Sequence, residues 1–231
     1  MPTRQAPRRK QSLAGSATLG QTVFETLRSE IASGVLAPGE PLSRRAIASR
    51  FGCSYSTVVE VMVRLESTEL IEAETAQIAR VVRPSIERIR DVHVLIEAIE
   101  TQAIRLACDA ATQADIDELY AMAEALEKRI DARDPDDRQV PLLHVQFHKR
   151  ITQAGRAPAL LRAQERSQLV VCCHRHAIVT AKELPDPPRW HLVLVDAIQA
   201  RDPLAADAAM RAHTRRGMEK DLLAYQLAAV Q

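Results

Sequence analysis

Apolar residues recur every three or four positions along nearly the whole chain, and proline- and glycine-bearing breaks separate the periodic stretches. This spacing places apolar side chains on one face of a helix. Aromatic residues make up only 3% of the 231 residues, whereas hydrophobic residues make up 46%. So few aromatic side chains in an alanine- and leucine-rich chain favour packed helices over a β-sandwich. The sequence therefore predicts a mainly α-helical protein with a substantial core.

The first third of the chain predicts three helices and a small β-ribbon. After a first helix and a turn at VLAPGEPL, Ser43 is placed to cap a short helix that Gly52 ends. Ser54 is placed to cap the next helix. Two short helices joined by a glycine-containing turn are typical of the helix-turn-helix. The segments LIEAE and ARVVRP predict two strands, so residues 19–84 are predicted to form a winged helix-turn-helix domain.

Residues 86–231 predict an antiparallel bundle of helices. Proline-rich breaks at 134–136 and 185–188 divide the periodic pattern. Thr112 and Asp115 have the spacing of a capping box. The predicted helices are 86–111, 112–131, 141–154, 157–182, 189–200 and one that Asp202 caps and Pro203 begins, reaching 229.

Charge is divided unevenly between these two parts. Residues 1–90 contain 13 basic and 9 acidic residues, and the remainder contains 18 basic and 21 acidic residues. A basic front part suits a polyanionic partner such as DNA. Residues 1–18, rich in proline, serine and basic residues, predict a flexible basic tail.

The stretch IASGVLAPGEPLSRRAIASRFGCSYSTVVEVMVRLES resembles the DNA-binding domain of GntR-type bacterial transcription regulators. The shared features are the SGxLxPGxxLS turn, the IAxxFGxS helix-turn and the apolar spacing of the next helix. The fragments FHKRITQAGRAPAL and HLVLVDAIQARDPLAADAAMRAH are similar to the helical FCD domain of the FadR subfamily. The resemblance implies a winged DNA-binding head on residues 19–84 and an effector-binding and dimerisation bundle on residues 86–231.

Four histidines of the bundle are candidate metal ligands. His144 and His148 lie one helical turn apart, a spacing that can chelate one ion, although such a pair is more often surface or ordinary core. His191 and His213 belong to two other predicted helices. The resemblance implies a divalent metal held by an acidic residue and three histidines at these four positions, with His144 where the family usually has aspartate. Imidazole ligands favour zinc, with nickel, copper or iron as alternatives.

The resemblance also implies a small carboxylate effector bound at the metal. Many FCD proteins carry an arginine one turn before the glutamate that matches Glu100, but Ile96 stands there, which removes a bidentate contact to a carboxylate. Arg105, Arg150 and Arg175 are alternative partners for the carboxylate. The predicted effector pocket therefore comprises Ile96, Glu100, Arg150 and Arg175.

The candidate DNA-contacting residues lie at the start of the two short helices and on the wing. The resemblance implies that Arg45 contacts DNA and that hydroxyl groups at the start of the recognition helix reach phosphates and base edges. Tyr55 and Val59 stand where the family usually has arginine, which weakens guanine readout. ETAQIARV replaces the usual glycine-rich wing tip. The predicted DNA-binding residues are Arg44, Arg45, Ser54, Tyr55, Ser56, Thr57 and Arg80.

Together these features predict a homodimeric transcription regulator, a repressor that binds a palindromic double-stranded DNA operator and responds to a metal-bound carboxylate. A regulator that senses the metal alone is an alternative. A metal-dependent hydrolase or lyase is a weaker one, because no carboxylate is an obvious general base and the basic helix-turn-helix would have no role. No apolar run approaches the about 20 residues of a membrane span. Four cysteines without a CxxC pair favour reduced thiols, so a cytoplasmic location is expected.

Overall fold

The computed structural model describes residues 18–132, 139–176 and 187–228, with side chains for all of these except 168–176 and 228. Residues 1–17 of the predicted tail and the predicted end of the fourth bundle helix, after His176, lie outside the described residues. The helices are α1 (Leu19–Ala32), α2 (Arg44–Phe51), α3 (Tyr55–Glu66), α4 (Ile86–Ala110), α5 (Gln113–Ala132), α6 (Gln139–Ala154), α7 (Pro158–His176), α8 (Leu192–Gln199) and α9 (Pro203–Ala228). The strands are β1 (Pro41–Ser43), β2 (Ile71–Ala73) and β3 (Ile78–Val81).

Local capping sets the helix-turn-helix in place, as the sequence predicts. The Ser43 hydroxyl accepts a hydrogen bond from the backbone N–H of Ala46 at the start of α2. Gly52 ends α2 with φ of 61°, a left-handed conformation that glycine adopts without a side-chain clash. The Ser54 hydroxyl then accepts a hydrogen bond of 3.1 Å from the N–H of Thr57 and caps α3. The two short helices are thereby fixed by their own end residues.

A three-stranded antiparallel sheet completes the winged domain, with strand order β1-β3-β2. The sequence predicts only two strands and a turn at VLAPGEPL, whereas the end of that segment forms β1. Leu42 of β1 lies opposite Ala79 of β3. Pro41 occupies the first position of an edge strand, where its missing N–H costs no ladder hydrogen bond. A strand of three residues that forms only by pairing with a distant partner leaves no alternating pattern in the sequence.

The bundle is built around a second apolar cluster. The capping box forms as predicted: Asp115 accepts from the N–H of Thr112 at 2.8 Å, and the Thr112 hydroxyl accepts from the N–H of Asp115 at 3.2 Å. At Gly155, after α6, a Cβ would lie 2.9 Å from the carbonyl oxygen of Ala103, so only glycine permits this close approach to α4. The fully buried side chains at the centre of the bundle are Ile104, Ile116, Leu119, Leu126, Phe147 and Ile151.

Helix α4 belongs to both parts of the molecule. Val92 and Ile96, near its start, are buried in the apolar cluster of the winged domain, together with residues of α1 and α3. Ile104, two turns later, is buried in the cluster of the bundle. One helix of 25 residues, about 37 Å long, thus joins the two cores without a break. None of the described helices combines the length and the apolar character needed to cross a bilayer.

Candidate functional site

Three histidines from two helices converge inside the bundle. The Nε2 atom of His213, on α9, lies 3.0 Å from that of His148 and 3.2 Å from that of His144, both on α6. Two nitrogen atoms bound to one zinc ion at about 2.0–2.1 Å lie about 3.0–3.4 Å apart, so both separations fit a shared ion. His148 is only 2% exposed and His213 is buried, whereas His144 is half-buried. We call these three residues the histidine triad.

His191, the fourth predicted ligand, lies beside the triad. It immediately precedes α8, and its ring centroid is 4.9 Å from that of His213 and 5.2 Å from that of His144. The group of ligand atoms that all lie within 4.8 Å of one another comprises His144, His148 and His213. Among the described residues, the structure thus brings three of the four predicted ligands into one metal-sized group and places the fourth ring in contact with it.

Two carboxylates lie behind the histidine rings. The Nδ1 atom of His148 is 3.0 Å from Oε2 of Glu100, and both side chains are buried. Glu127, on α5, accepts from the backbone N–H of His191 at 2.7 Å and lies 2.8 Å from its Nδ1. Burial opposes ionisation of Glu127, but the hydrogen bonds from His191 leave the pKa of this carboxyl below its ordinary value.

These carboxylates determine how the imidazoles are presented. A carboxylate beside Nδ1 favours the tautomer that carries hydrogen there, which leaves the Nε2 lone pair of His148 directed at the triad. Carboxylates in this position also raise the basicity of imidazole ligands. They face the Nδ1 atoms, away from the point where the triad converges, so neither is placed as a base for bound water. The arrangement suits cation binding.

Aromatic side chains surround the histidines. Phe147 is fully buried and packs edge-on against the rings of His148 and His191, with centroids 5.5 and 5.6 Å apart. Trp190 stacks on His213 at 5.3 Å. Such packing restricts the rotamers of the imidazoles and lowers the local dielectric constant, which favours a fixed ligand geometry.

The predicted effector residues do not form one group. Glu100 borders the triad through His148 and accepts a 3.0 Å hydrogen bond from Gln164. Ile96 is instead buried in the core of the winged domain. Arg150 points to the start of α5, where it forms ion pairs with Asp115 and Glu118 at 2.5 and 2.8 Å. The side chain of Arg175, like those of His174 and His176, lies outside the described residues.

A cluster of exposed hydroxyl groups lies at the start of the recognition helix α3. The Ser54 hydroxyl lies 2.9 Å from that of Ser56 and 2.8 Å from that of Thr57. Tyr55 beside them is 44% exposed. Arg45, in the first turn of α2, is exposed, and none of the described acidic residues forms an ion pair with it. These predicted DNA-binding residues are accessible from one end of the helix-turn-helix.

Two other predicted DNA-binding residues are engaged within the domain. Arg44 is buried, and its guanidinium donates to backbone carbonyl groups of the wing. The folded wing covers this side chain, and the role of Arg44 in DNA binding stays a prediction. Arg80 of β3 donates to the carbonyl oxygen of Gly39 and forms a 2.9 Å ion pair with Glu74. Its side chain remains 38% exposed.

A helix-turn-helix is a DNA-binding element whose second helix enters the major groove, and here it is joined to a helical domain with a buried histidine cluster, as in a ligand-responsive transcription regulator. Residues 19–81 match the model of bacterial regulatory proteins of the gntR family, and residues 91–216 match the FCD domain. The chain belongs to the gntR family, in the FadR subfamily whose members carry an FCD domain. Its members are transcription regulators, not enzymes.

Individual relatives agree with this assignment. The HTH-type transcriptional repressor RspR of Escherichia coli (strain K12) is 26% identical over 196 residues, which cover 84% of this chain and 85% of RspR. The HTH-type transcriptional repressor NanR of Citrobacter rodentium is 28% identical over 219 residues, covering 84% of this chain and 82% of NanR. The structure of E. coli McbR/YncC has the same fold, with a TM-score of 0.72, 21% identity, and coverage of 92% of this chain and 99% of that chain.

Sequence reasoning missed two residues of the site. Glu127 lies on α5 next to the apolar face formed by Leu119, Ala123 and Leu126. A charged residue at the edge of an apolar face was the only sign in the sequence that Glu127 reaches into the bundle. Trp190 is the single tryptophan of the chain and directly precedes His191. Neither signal identifies a partner, because both contacts join elements far apart in the sequence.

Proposed function

We propose that this protein is a repressor that binds its operator as a homodimer and releases it when a small carboxylate binds at a metal ion held by the histidine triad. The observation that carries the proposal is the convergence of three Nε2 atoms at 3.0 and 3.2 Å inside the helical domain of a DNA-binding protein. The names of RspR and NanR, both repressors, support repression as the mode of action.

The proposed metal is zinc, bound by His144, His148 and His213, with His191 as the fourth ligand. Uncharged nitrogen ligands suit zinc, nickel, copper or iron better than magnesium or manganese. Imidazoles are uncharged ligands, so four of them leave the full charge of a divalent ion uncancelled, and an anion is attracted to such an ion. When bound, the ion supplies a Lewis-acidic position that a carboxylate oxygen can occupy. The buried carboxylate of Glu100 and the half-buried carboxylate of Glu127 help to hold the ion without occupying that position.

The route from the triad to DNA runs along two packed helices. His213 belongs to α9, which packs along α4, and α4 carries Glu100 in the site and Ile96 in the core of the winged domain. A ligand that moves α6 or α9 therefore acts on a rigid helix that continues into the DNA-binding domain. In a homodimer, a change in the placement of two winged heads alters their fit to two half-sites, and so the affinity for the operator.

Native mass spectrometry of the full-length protein tests the metal and the dimer together. After removal of metal with a chelator and addition of Zn²⁺, we expect a dimer with one ion per chain. His148→Ala should abolish this uptake, whereas Gln146→Ala, an exposed residue on the same helix, should leave it unchanged. A monomer, or a His148→Ala protein that retains the ion, contradicts the proposal.

The effector is tested by adding short aliphatic mono- and dicarboxylic acids to the zinc-loaded protein bound to a DNA duplex selected in vitro by the wild type. We expect at least one acid to weaken DNA binding in the presence of zinc and to have no effect on the chelated protein.

Sensing of the metal alone is a second candidate, favoured by the engagement of Arg150 with α5 and of Ile96 with the winged core. Arg150 is therefore not placed to bind a carboxylate beside the triad, and Ile96 does not line that space. In that case zinc alone changes the DNA affinity, and no acid changes it further. If neither zinc nor any acid changes the affinity, both candidates are wrong.

A further inference from the structure

Arg44 and Arg45 are consecutive residues of one helical turn but face different surroundings. Arg45 is exposed, whereas Arg44 is only 8% exposed. The Nη1 atom of Arg44 donates to the carbonyl oxygen of Ala76 at 2.5 Å and to that of Thr75 at 3.3 Å. Both carbonyl groups belong to the tip of the wing, residues 74–77, between β2 and β3. Because a charged donor strengthens each of these bonds, this contact is a strong link between α2 and the wing.

The wing tip has few other constraints of its own. Its four residues, Glu74 to Gln77, are exposed and include no glycine, and the N–H groups of Glu74 and Thr75 close the turn on the carbonyl oxygen of Ile78. The Thr75 hydroxyl accepts from the N–H groups of Gln77 and Ile78. These bonds set the shape of the turn but do not attach it to the helices. Glu74 is also held by its ion pair with Arg80 of β3. The link from the tip to the helices comes from Arg44, through its side chain and through its backbone N–H, which donates to the carbonyl oxygen of Gln77.

We propose that Arg44 is a positioning residue for DNA recognition, which fixes the wing tip relative to the first turn of α2. Arg45 is one residue away on that turn, so the same anchor sets the distance between the wing and the arginine that faces solvent. A protein that docks a helix-turn-helix and a wing at once gains affinity when the two are held in place before binding, because less conformational entropy is lost. Arg44 acts on DNA through the wing and does not touch the duplex.

The variant Arg44→Met tests this role, because it keeps an apolar stem in the buried space and removes the donors. The probe is the duplex selected in vitro by the wild-type protein. We expect at least a tenfold loss of affinity, together with loss of hydroxyl-radical protection at the nucleotides next to the wing. Protection by α3 should remain. Arg44→Lys, which keeps a charged donor, should recover most of the affinity and of the footprint.

Salt dependence separates positioning from direct contact. Removing a residue that touches phosphate lowers the slope of log affinity against log salt by about 1. Arg45→Ala is the matched comparison and is expected to show that loss. Arg44→Met is expected to keep the wild-type slope, measured by fluorescence anisotropy over a range of salt concentrations.

Hydrogen exchange of the free protein gives a readout that does not depend on DNA. In Arg44→Met, exchange should increase at Gln77 and Ile78 and stay unchanged in α3. Three results would overturn the proposal: unchanged affinity and footprint, a salt slope that falls as in Arg45→Ala, or faster exchange throughout α1–α3, which would indicate a general folding role.

Discussion

The Nδ1 atom of His148 lies 3.0 Å from a carboxylate oxygen of Glu100, although the two residues belong to different helices and both are buried. The other carboxylate oxygen of Glu100 accepts a hydrogen bond from Gln164 on α7. Three helices thus meet behind one imidazole. A histidine held in this way keeps its Nε2 atom directed at the triad before any ion binds, which lowers the cost of binding.

Replacement of Glu100 by glutamine should therefore weaken zinc binding while leaving the ligand set intact. We expect the Kd for zinc to rise about 10–100-fold in Glu100→Gln, because the amide orients the imidazole less firmly and does not increase its basicity. Competition against a chromophoric chelator measures the effect. Glu127→Gln should behave similarly through His191. Glu124→Gln, an exposed change on α5, serves as the control. Equal zinc affinities in all three variants would show that the carboxylates do not support the site.

Trp190 provides an optical signal for the same site. It is the single tryptophan of the chain, and its ring stacks on that of His213 at a centroid distance of 5.3 Å. Coordination of His213 to a cation changes the charge next to the indole, so zinc titration should change the tryptophan emission and saturate at one ion per chain. His213→Ala should abolish the change. A signal that persists in His213→Ala would place the metal elsewhere.

Local signals in the sequence predict much of this fold. The helix ends at Ser43, Gly52 and Ser54 were predictable because each cap bonds within three or four residues along the chain. The His144–His148 pair was visible for the same reason, since one helical turn fixes its spacing. Contacts between distant elements were not predictable in this way.

The features that the sequence did not reveal all involve long-range contacts. The strand β1 exists only because β3 pairs with it. Arg44 is buried because the wing, more than 30 residues later, covers it. Ile96 was assigned to the effector pocket, but α4 enters the winged core at this point. Helical periodicity shows that a residue faces a core and does not show which core.

Asp115 should contribute to stability in a pH-dependent way. Its carboxylate accepts from Arg150 and from the N–H and hydroxyl groups of Thr112, and these interactions hold its pKa well below the ordinary value despite burial. A lowered folded-state pKa means that the stabilisation is fully present above the unfolded value of about 4 and is lost as the pH falls below it.

The variant Asp115→Asn should lower the free energy of unfolding by about 1–3 kcal/mol at pH 7. The difference from the wild type should shrink as the pH falls below about 4, because this carboxyl group becomes protonated in the unfolded wild type while it is still ionised in the folded protein. Urea denaturation at several pH values, with chelator present in every sample, measures both effects. Asp117→Asn, a substitution at an exposed position in the same turn of α5, is the control and should change the free energy of unfolding little at any pH. A difference that stays constant with pH would show that the carboxylate charge is not responsible.

A buried pair between α4 and α9 should couple the metal site to the winged domain. The Nε2 atom of His93 lies 2.9 Å from a carboxylate oxygen of Asp221, and both side chains are buried. Asp221 is two turns after His213 on α9, and His93 adjoins Val92, which is buried in the winged core. The pair therefore connects the helix that carries a triad histidine to the point where α4 enters the DNA-binding domain.

A double-mutant cycle with His93→Ala and Asp221→Ala tests this connection. We expect a coupling energy of about 1–3 kcal/mol for unfolding, because removal of either residue leaves the other buried without this partner. The functional consequence is more specific. In either variant the Kd for zinc should stay close to the wild-type value, since neither residue belongs to the triad, while the effect of zinc and acids on DNA affinity should decrease. Variants that lose zinc binding would show that the pair supports the metal site itself, contrary to this prediction. Variants that keep the full ligand response despite a large coupling energy would show that the signal reaches the winged domain by another route.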